Sequence, residues 1–125
     1  MLANAPVSAA LPAKDFARAR QFYSEVLGLP VAMEMGENVA FACGGGTLAF
    51  VYKSDFAGTN QATAAGWDVD DLDSVMAGLR ERGVTFEDYD LPGLKTVDGV
   101  VTIGDNRIAY FKDTEGNILS LAQMG

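Results

Sequence analysis

The spacing of apolar positions writes one pattern twice along this chain. Val7 to Leu11 is a short apolar run of strand character, followed by Pro12, Ala13 and Lys14. Phe16, Ala19, Phe22, Tyr23, Val26 and Leu27 then recur at the helical period, with Asp15 placed as N-cap and Gly28 placed to end the helix. In the second half Ala64 to Val69 predicts a strand and Asp70 or Asp71 a cap. Leu72, Val75, Met76 and Leu79 form the next apolar stripe, and Gly83 closes it. Gly78 weakens that helix by about 1 kcal/mol relative to Ala. Asp15 and Asp71 are 56 residues apart and Gly28 and Gly83 are 55 apart, so the strand-plus-helix unit is an internal repeat.

Strand-like runs follow each helix. The first half has Val39 to Cys43 and Thr47 to Tyr52, joined by Gly44-Gly45-Gly46. The second has Val84 to Phe86, Val100 to Ile103, Ile108 to Phe111 and Ile118 to Ala122, while Asp88 to Gly99 reads as a long loop. The expectation is an α+β chain of two βαβββ modules, about 5–58 and 62–124, within a single domain 1–125.

Charge narrows the partners. The chain carries 9 basic and 17 acidic side chains, a net −8, and has no basic patch beyond Arg80 and Arg82 with Glu81 between them. An acidic surface attracts neither phosphate backbones nor anionic headgroups, so no nucleic-acid or membrane partner is expected. Residues 1–62 are nearly neutral at −1, and residues 63–125 hold the other −7. No apolar run approaches the roughly 20 residues of a spanning helix, and the N-terminal stretch lacks the cationic start of a secretory signal. A cytoplasmic protein is expected.

Chemistry is sparse. There is no histidine, so histidine-dependent metal sites and Ser-His or Cys-His nucleophile pairs are excluded. Cys43, the single cysteine, has no adjacent cation to activate it and reads as a small hydrophobe. Its Gly-rich neighbours lack the Lys-Ser/Thr ending of a phosphate loop.

Three segments carry a family resemblance: Leu11 to Leu29 (LPAKDFARARQFYSEVLGL), Trp67 to Val84 (WDVDDLDSVMAGLRERGV) and Phe111 to Gln123 (FKDTEGNILSLAQ). In this order and spacing they resemble the glyoxalase, bleomycin-resistance and extradiol-dioxygenase superfamily, the vicinal oxygen chelate proteins. The resemblance implies paired βαβββ modules curving around a cavity, and a homodimer. The family's closing motif reads Asp-Pro-Asp-Gly-Asn, and here it is Asp113-Thr114-Glu115-Gly116-Asn117, a difference expected to affect the turn alone.

The resemblance also implies where metal ligands would stand: Ser8 and Ala64 at the start of each half, Ala49 and Ser120 in the last strand of each half. Two methyl groups and two neutral hydroxyls are poor ligands, so no metal and no cofactor is expected. If those four face the cavity, alternation adds Ala10, Val51, Gly66, Asp68, Ile118 and Ala122, and turns Phe50, Trp67, Leu119 and Leu121 towards the helices. The small side chains either line a roomy ligand pocket or let the sheets close together. Tyr89, in the acidic loop, is the aromatic best placed by sequence to touch a ligand.

Two functions fit. The first is a metal-independent, non-enzymatic small-molecule binder resembling the bleomycin-resistance proteins, with a cationic or aromatic ligand. The second is a divergent metal-independent lyase or isomerase acting on a small polar substrate. Its proton carriers would be Asp68, Tyr52 or Tyr110, though as a catalytic set these have no evident pairing.

Overall fold

The computed structural model describes all 125 residues. The chain divides into two compact units: Met1–Thr59 together with Thr114–Asn117, and Asn60–Asp113 together with Ile118–Gly125. Each repeats the order strand, helix, then strands, giving an α+β fold with two four-stranded sheets.

In the first unit β1 (Ala9–Ala13) leads into α1 (Phe16–Gln21), which is extended by a π-helical turn over Phe22–Val26. Asp15 caps α1 as expected, its carboxylate accepting from the Arg18 amide at 3.1 Å. Then follow β2 (Val31–Met35), β3 (Asn38–Ala42) and β4 (Leu48–Lys53), in the spatial order β1-β4-β3-β2. Only the β1–β4 contact is parallel. Strand β1 begins two residues later than the apolar run suggests. The sequence reading omits β2 altogether, because it is an edge strand exposed at every position and has no alternation to detect.

The core of this unit shows which face of the sheet the helix covers. Tyr23 stacks on Phe41 with ring centroids 5.9 Å apart, and both are buried. Phe41 is directly opposite Ala49, Val39 is opposite Val51, and Leu11 lies beside Val51. Cross-strand partners share a face, so Ala49 and Val51 point towards α1, where both are buried. This corrects the expectation for β4: Ala49 and Val51 do not line the open face, and Phe50 does. Bulk misleads here. Small Ala13, Ala19 and Ala49 allow close approach of helix and sheet while Tyr23 and Phe41 fill the layer between them, so Phe50 is not needed in the core.

The second unit contains β5 (Thr63–Asp68), α2 (Leu72–Glu81), a small hairpin of β6 (Asp90–Leu91) and β7 (Leu94–Lys95), then β8 (Val100–Ile103), β9 (Asn106–Lys112) and β10 (Ile118–Gln123). Its sheet runs β5-β10-β9-β8, again with a parallel first pair. Asp71 is the cap, accepting from the Ser74 amide at 3.1 Å. Leu72, Met76 and Leu79 of α2 are buried, as are Ala109, Phe111, Leu119 and Leu121 of the sheet. Here the alternation of β10 is as the sequence suggests, with Leu119 and Leu121 in the core. The predicted strand at Val84 to Phe86 reduces to a single bridge between Phe86 and Phe111. The predicted loop Asp88 to Gly99 instead holds the β6–β7 hairpin, because Thr96 gathers it. Its hydroxyl donates to Asp88 Oδ1 at 2.8 Å and accepts from the Tyr89 amide at 2.8 Å.

The turn Thr114–Asn117, although it joins β9 to β10, belongs to the first unit. Asn117 Nδ2 donates to the Pro12 carbonyl at 2.8 Å, and Asn117 Oδ1 accepts from the Gly58 amide at 3.3 Å. The buried Glu115 carboxylate accepts from the Asp15 amide at 2.8 Å and from Arg18 Nε at 2.9 Å. The departure from the family motif is therefore not confined to the turn, since Glu115 reaches the start of α1.

Candidate functional site

Each sheet has one face closed by a helix and one face free of it. On the first sheet the free face is organised in two cross-strand rows. One row runs Ala10, Phe50, Ala40, Met33, and the other runs Pro12, Tyr52, Asn38, Met35. Phe50 and Tyr52 stack nearly parallel, with centroids 6.2 Å apart and 16° between the rings. Met33 and Met35 end the two rows on β2, at 50% and 53% exposure, beyond Ala40 and Asn38 of β3. Two aligned rings, with two flexible-chain thioethers on the same face two strands away, make an adaptable surface of the kind that accepts a planar ligand. Ser8 and Ala10 are exposed at its β1 border.

On the second sheet the face away from the helix carries Gly66, Ser120 and Tyr110 in one row and Asp68, Ala122 and Ile108 in the next, where Val101, opposite Ile108, is buried. Gly66 is needed there: a β-carbon on it would stand 2.4 Å from Ser120 Oγ. Ala64 is exposed at an irregularity of β5, where Thr63 and not Ala64 is matched to Ile118. Tyr89 packs edge-on against Tyr110, centroids 5.6 Å apart. Burial, then the charges of Glu87 and Tyr110, push the Tyr89 phenol above its ordinary range, so its hydroxyl stays protonated at neutral pH. Lys112 lies 4.0 Å from Glu87 at the end of β9. Asp68 is exposed at the end of β5.

The sequence reading thus places Ser8, Ala10, Gly66, Asp68, Ser120 and Tyr89 at or beside free faces, misplaces Ala49 and Val51, and misses Phe50, Met33 and Met35. The internal repeat holds the signal for Phe50. Ala10 and Gly66 each stand five residues before a cap, and their partners across the parallel pair are Phe50 and Ser120. The last-strand position corresponding to Ser120 is therefore Phe50, one residue beyond Ala49.

The residues at the family's metal positions do not fit a divalent ion. The first unit offers a hydroxyl at Ser8 and a phenyl ring at Phe50, and the second a methyl at Ala64 and a hydroxyl at Ser120. No group of three or more Cys, Asp or Glu side chains anywhere in the chain is arranged to hold a metal ion. No helix is long and apolar enough to cross a membrane.

Comparison with known proteins agrees with this fold. The model of the Glyoxalase/Bleomycin resistance protein/Dioxygenase superfamily matches residues 6–121. No curated protein matches the sequence. Among solved structures, TnmS3, an antibiotic binding protein from Streptomyces sp. CB03234, superposes with a TM-score of 0.76 at 24% identity, covering 100% of this chain and 99% of that one. A glyoxalase / bleomycin resistance protein from Catenulispora acidiphila gives 0.73 at 21% identity, covering 96% and 98%. A lactoylglutathione lyase from Agrobacterium tumefaciens gives 0.69 at 18% identity, covering 96% and 93%. At these identities the likeness is one of fold.

Proposed function

The chain belongs to the Glyoxalase/Bleomycin resistance protein/Dioxygenase superfamily, and from that premise we propose that it is a metal-independent, non-enzymatic binder of flat aromatic compounds. The observation that carries this reading is the free face of the first sheet, where Phe50 and Tyr52 stack on β4 and two half-exposed methionines share the face on β2, across Ala40 and Asn38 of β3. An apolar face of this kind is costly to leave in water and is a common mark of a binding surface. The ligand is small and planar, and a cationic one is favoured. The ring faces of Phe50 and Tyr52 attract positive charge. The structural likeness to an antibiotic binding protein is in keeping with sequestration as the role.

The protein works as a homodimer in the cytoplasm. The exposed edge strand β2, with Val31, Met33 and Met35, is the kind of edge that association covers.

A titration calorimetry and fluorescence screen of planar aromatic cations, beginning with the acridine dye proflavine, tests the proposal. Binding in the micromolar range that weakens with added salt is expected. A broad set of planar aromatics, charged and neutral, with no micromolar binder would overturn it.

A further inference from the structure

The second unit contains a cavity of about 580 Å³ on the helix side of its sheet, opposite the face that carries Ser120 and Tyr110. Its construction follows from element geometry. Asp73, Met76 and Arg80 are spaced three and four apart on α2 and so share one helix face. Val100 and Thr102 alternate on the edge strand β8 and so share one sheet face, with Arg107 of β9 directly opposite Thr102. Lys95 of β7 and the segment Val97-Asp98 close the remaining side.

The lining is unusual for this chain. Three of its nine basic residues, Arg80, Lys95 and Arg107, meet here, against two acids, in a protein whose net charge is −8. The two arginines are held in place. Arg80 lies over the Phe86 ring, 5.1 Å from its centroid, and donates to the Asp98 carbonyl at 3.3 Å. Arg107 donates to Asp73 Oδ1 at 2.8 Å. Lys95 makes no ion pair. Met76, Val97 and Val100 supply apolar wall beside these cations. The volume falls within the roughly 300–1,000 Å³ of small-molecule sites, which combine apolar walls with a few oriented polar groups.

We infer that this cavity is a second binding site, for a small organic carboxylate with an apolar body. The carboxylate is received by Lys95 and the arginine forks, and the body packs on Met76, Val97 and Val100. Guanidinium groups match carboxylate geometry, and a fixed guanidinium loses little freedom on binding. Asp73 acts as a competitor: its carboxylate occupies Arg107 until a ligand takes its place.

The test is calorimetry and amide-resonance mapping on the full chain with naphthalene-2-carboxylate and its neutral primary amide. The carboxylate should bind about tenfold more tightly than the amide, as a charge-assisted contact requires. It should shift the amide resonances of Val100, Thr102 and Arg107. Lys95→Gln should weaken the carboxylate about fivefold or more while leaving the amide unchanged. Asp73→Asn should tighten it several-fold, a gain that no purely structural role for Asp73 would give. Phe50→Ala should leave this affinity unchanged, which separates the site from the proposed aromatic site. Lys95 makes no ion pair, so an unchanged denaturation midpoint of Lys95→Gln shows that the fold is retained. Equal affinity for carboxylate and amide, resonance shifts confined to other residues, or indifference to Lys95→Gln would overturn the assignment.

Discussion

Arg18 Nε donates to Glu115 Oε2 at 2.9 Å across 97 residues of sequence, and the Glu115 side chain is completely buried. Its other oxygen accepts from the Asp15 amide, so one carboxylate fixes both the capping residue and the first turn of α1. Burial pushes the Glu115 carboxyl up, but Arg18, the Asp15 amide and the Thr114 hydroxyl together outweigh it and hold the group below the usual glutamate range. A carboxyl lowered on folding stabilises the protein above its unfolded value, and that contribution is lost as pH falls through the folded value. Glu115→Gln should therefore cost about 1–3 kcal/mol at neutral pH, the range for a hydrogen-bonded buried charge. The gap between wild type and variant should narrow as pH falls below the usual glutamate range. Urea titrations at a series of pH values check both the size and the sign.

The close approach of Gly58 to the same turn gives a second prediction. Gly58 has φ +72°, and a β-carbon there would stand 2.4 Å from the Glu115 carbonyl oxygen, a backbone atom that cannot step aside cheaply. Gly36 has a similar φ of +59° with open space around it. Gly36→Ala should cost about 1–2 kcal/mol, the left-handed penalty alone. Gly58→Ala adds overpacking and should cost roughly 2–5 kcal/mol. Thermal or denaturant unfolding of the pair separates the two causes.

Much of this fold was legible in the sequence. The caps Asp15 and Asp71, the apolar stripes of both helices and the repeat of about 56 residues locate the two modules, because helical periodicity and capping are local signals. What escaped was decided by neighbours distant in sequence. Strand β4, Leu48 to Lys53, is apolar on both faces, so alternation alone does not say which face is core. Tyr23 decides it: it stacks on Phe41, the cross-strand partner of Ala49, and it lies 25 residues before β4 begins. The role of Glu115 was hidden for the same reason: a turn residue carries no mark of a partner 97 positions earlier.

Strand parity yields a direct stability contrast. Phe41→Ala removes a fully buried ring and should cost about 3–5 kcal/mol. Phe50→Ala, on the free face, should cost only about 1 kcal/mol, in keeping with partial burial of its area. Denaturant titration of the two variants decides between the faces. Equal costs would return Phe50 to the core and remove the aromatic surface.

Metal dependence is tested by elemental analysis of protein prepared without an affinity tag. The side chains at Ser8, Phe50, Ala64 and Ser120 offer no donor set for a divalent ion. No stoichiometric zinc, nickel, manganese or iron should be found, and a chelator should leave the melting temperature unchanged. One metal per chain would show that donors outside these positions assemble a site.

Association is read by light scattering at micromolar concentration. The expected mass is about 26 kDa, twice the 13.2 kDa chain. A mass of one chain at every concentration would remove the homodimer and leave the β2 edge uncovered.

The central claim is that the Phe50–Tyr52 face binds planar aromatic ligands, and the most direct measurement is proflavine affinity by calorimetry for wild type and Phe50→Ala. Loss of one stacked ring, at about 1–3 kcal/mol for a good aromatic contact, corresponds to roughly fivefold or more in the dissociation constant. The expected result is micromolar binding by wild type and at least that weakening in a Phe50→Ala protein that still unfolds cooperatively. Equal affinity in the two proteins would contradict the account.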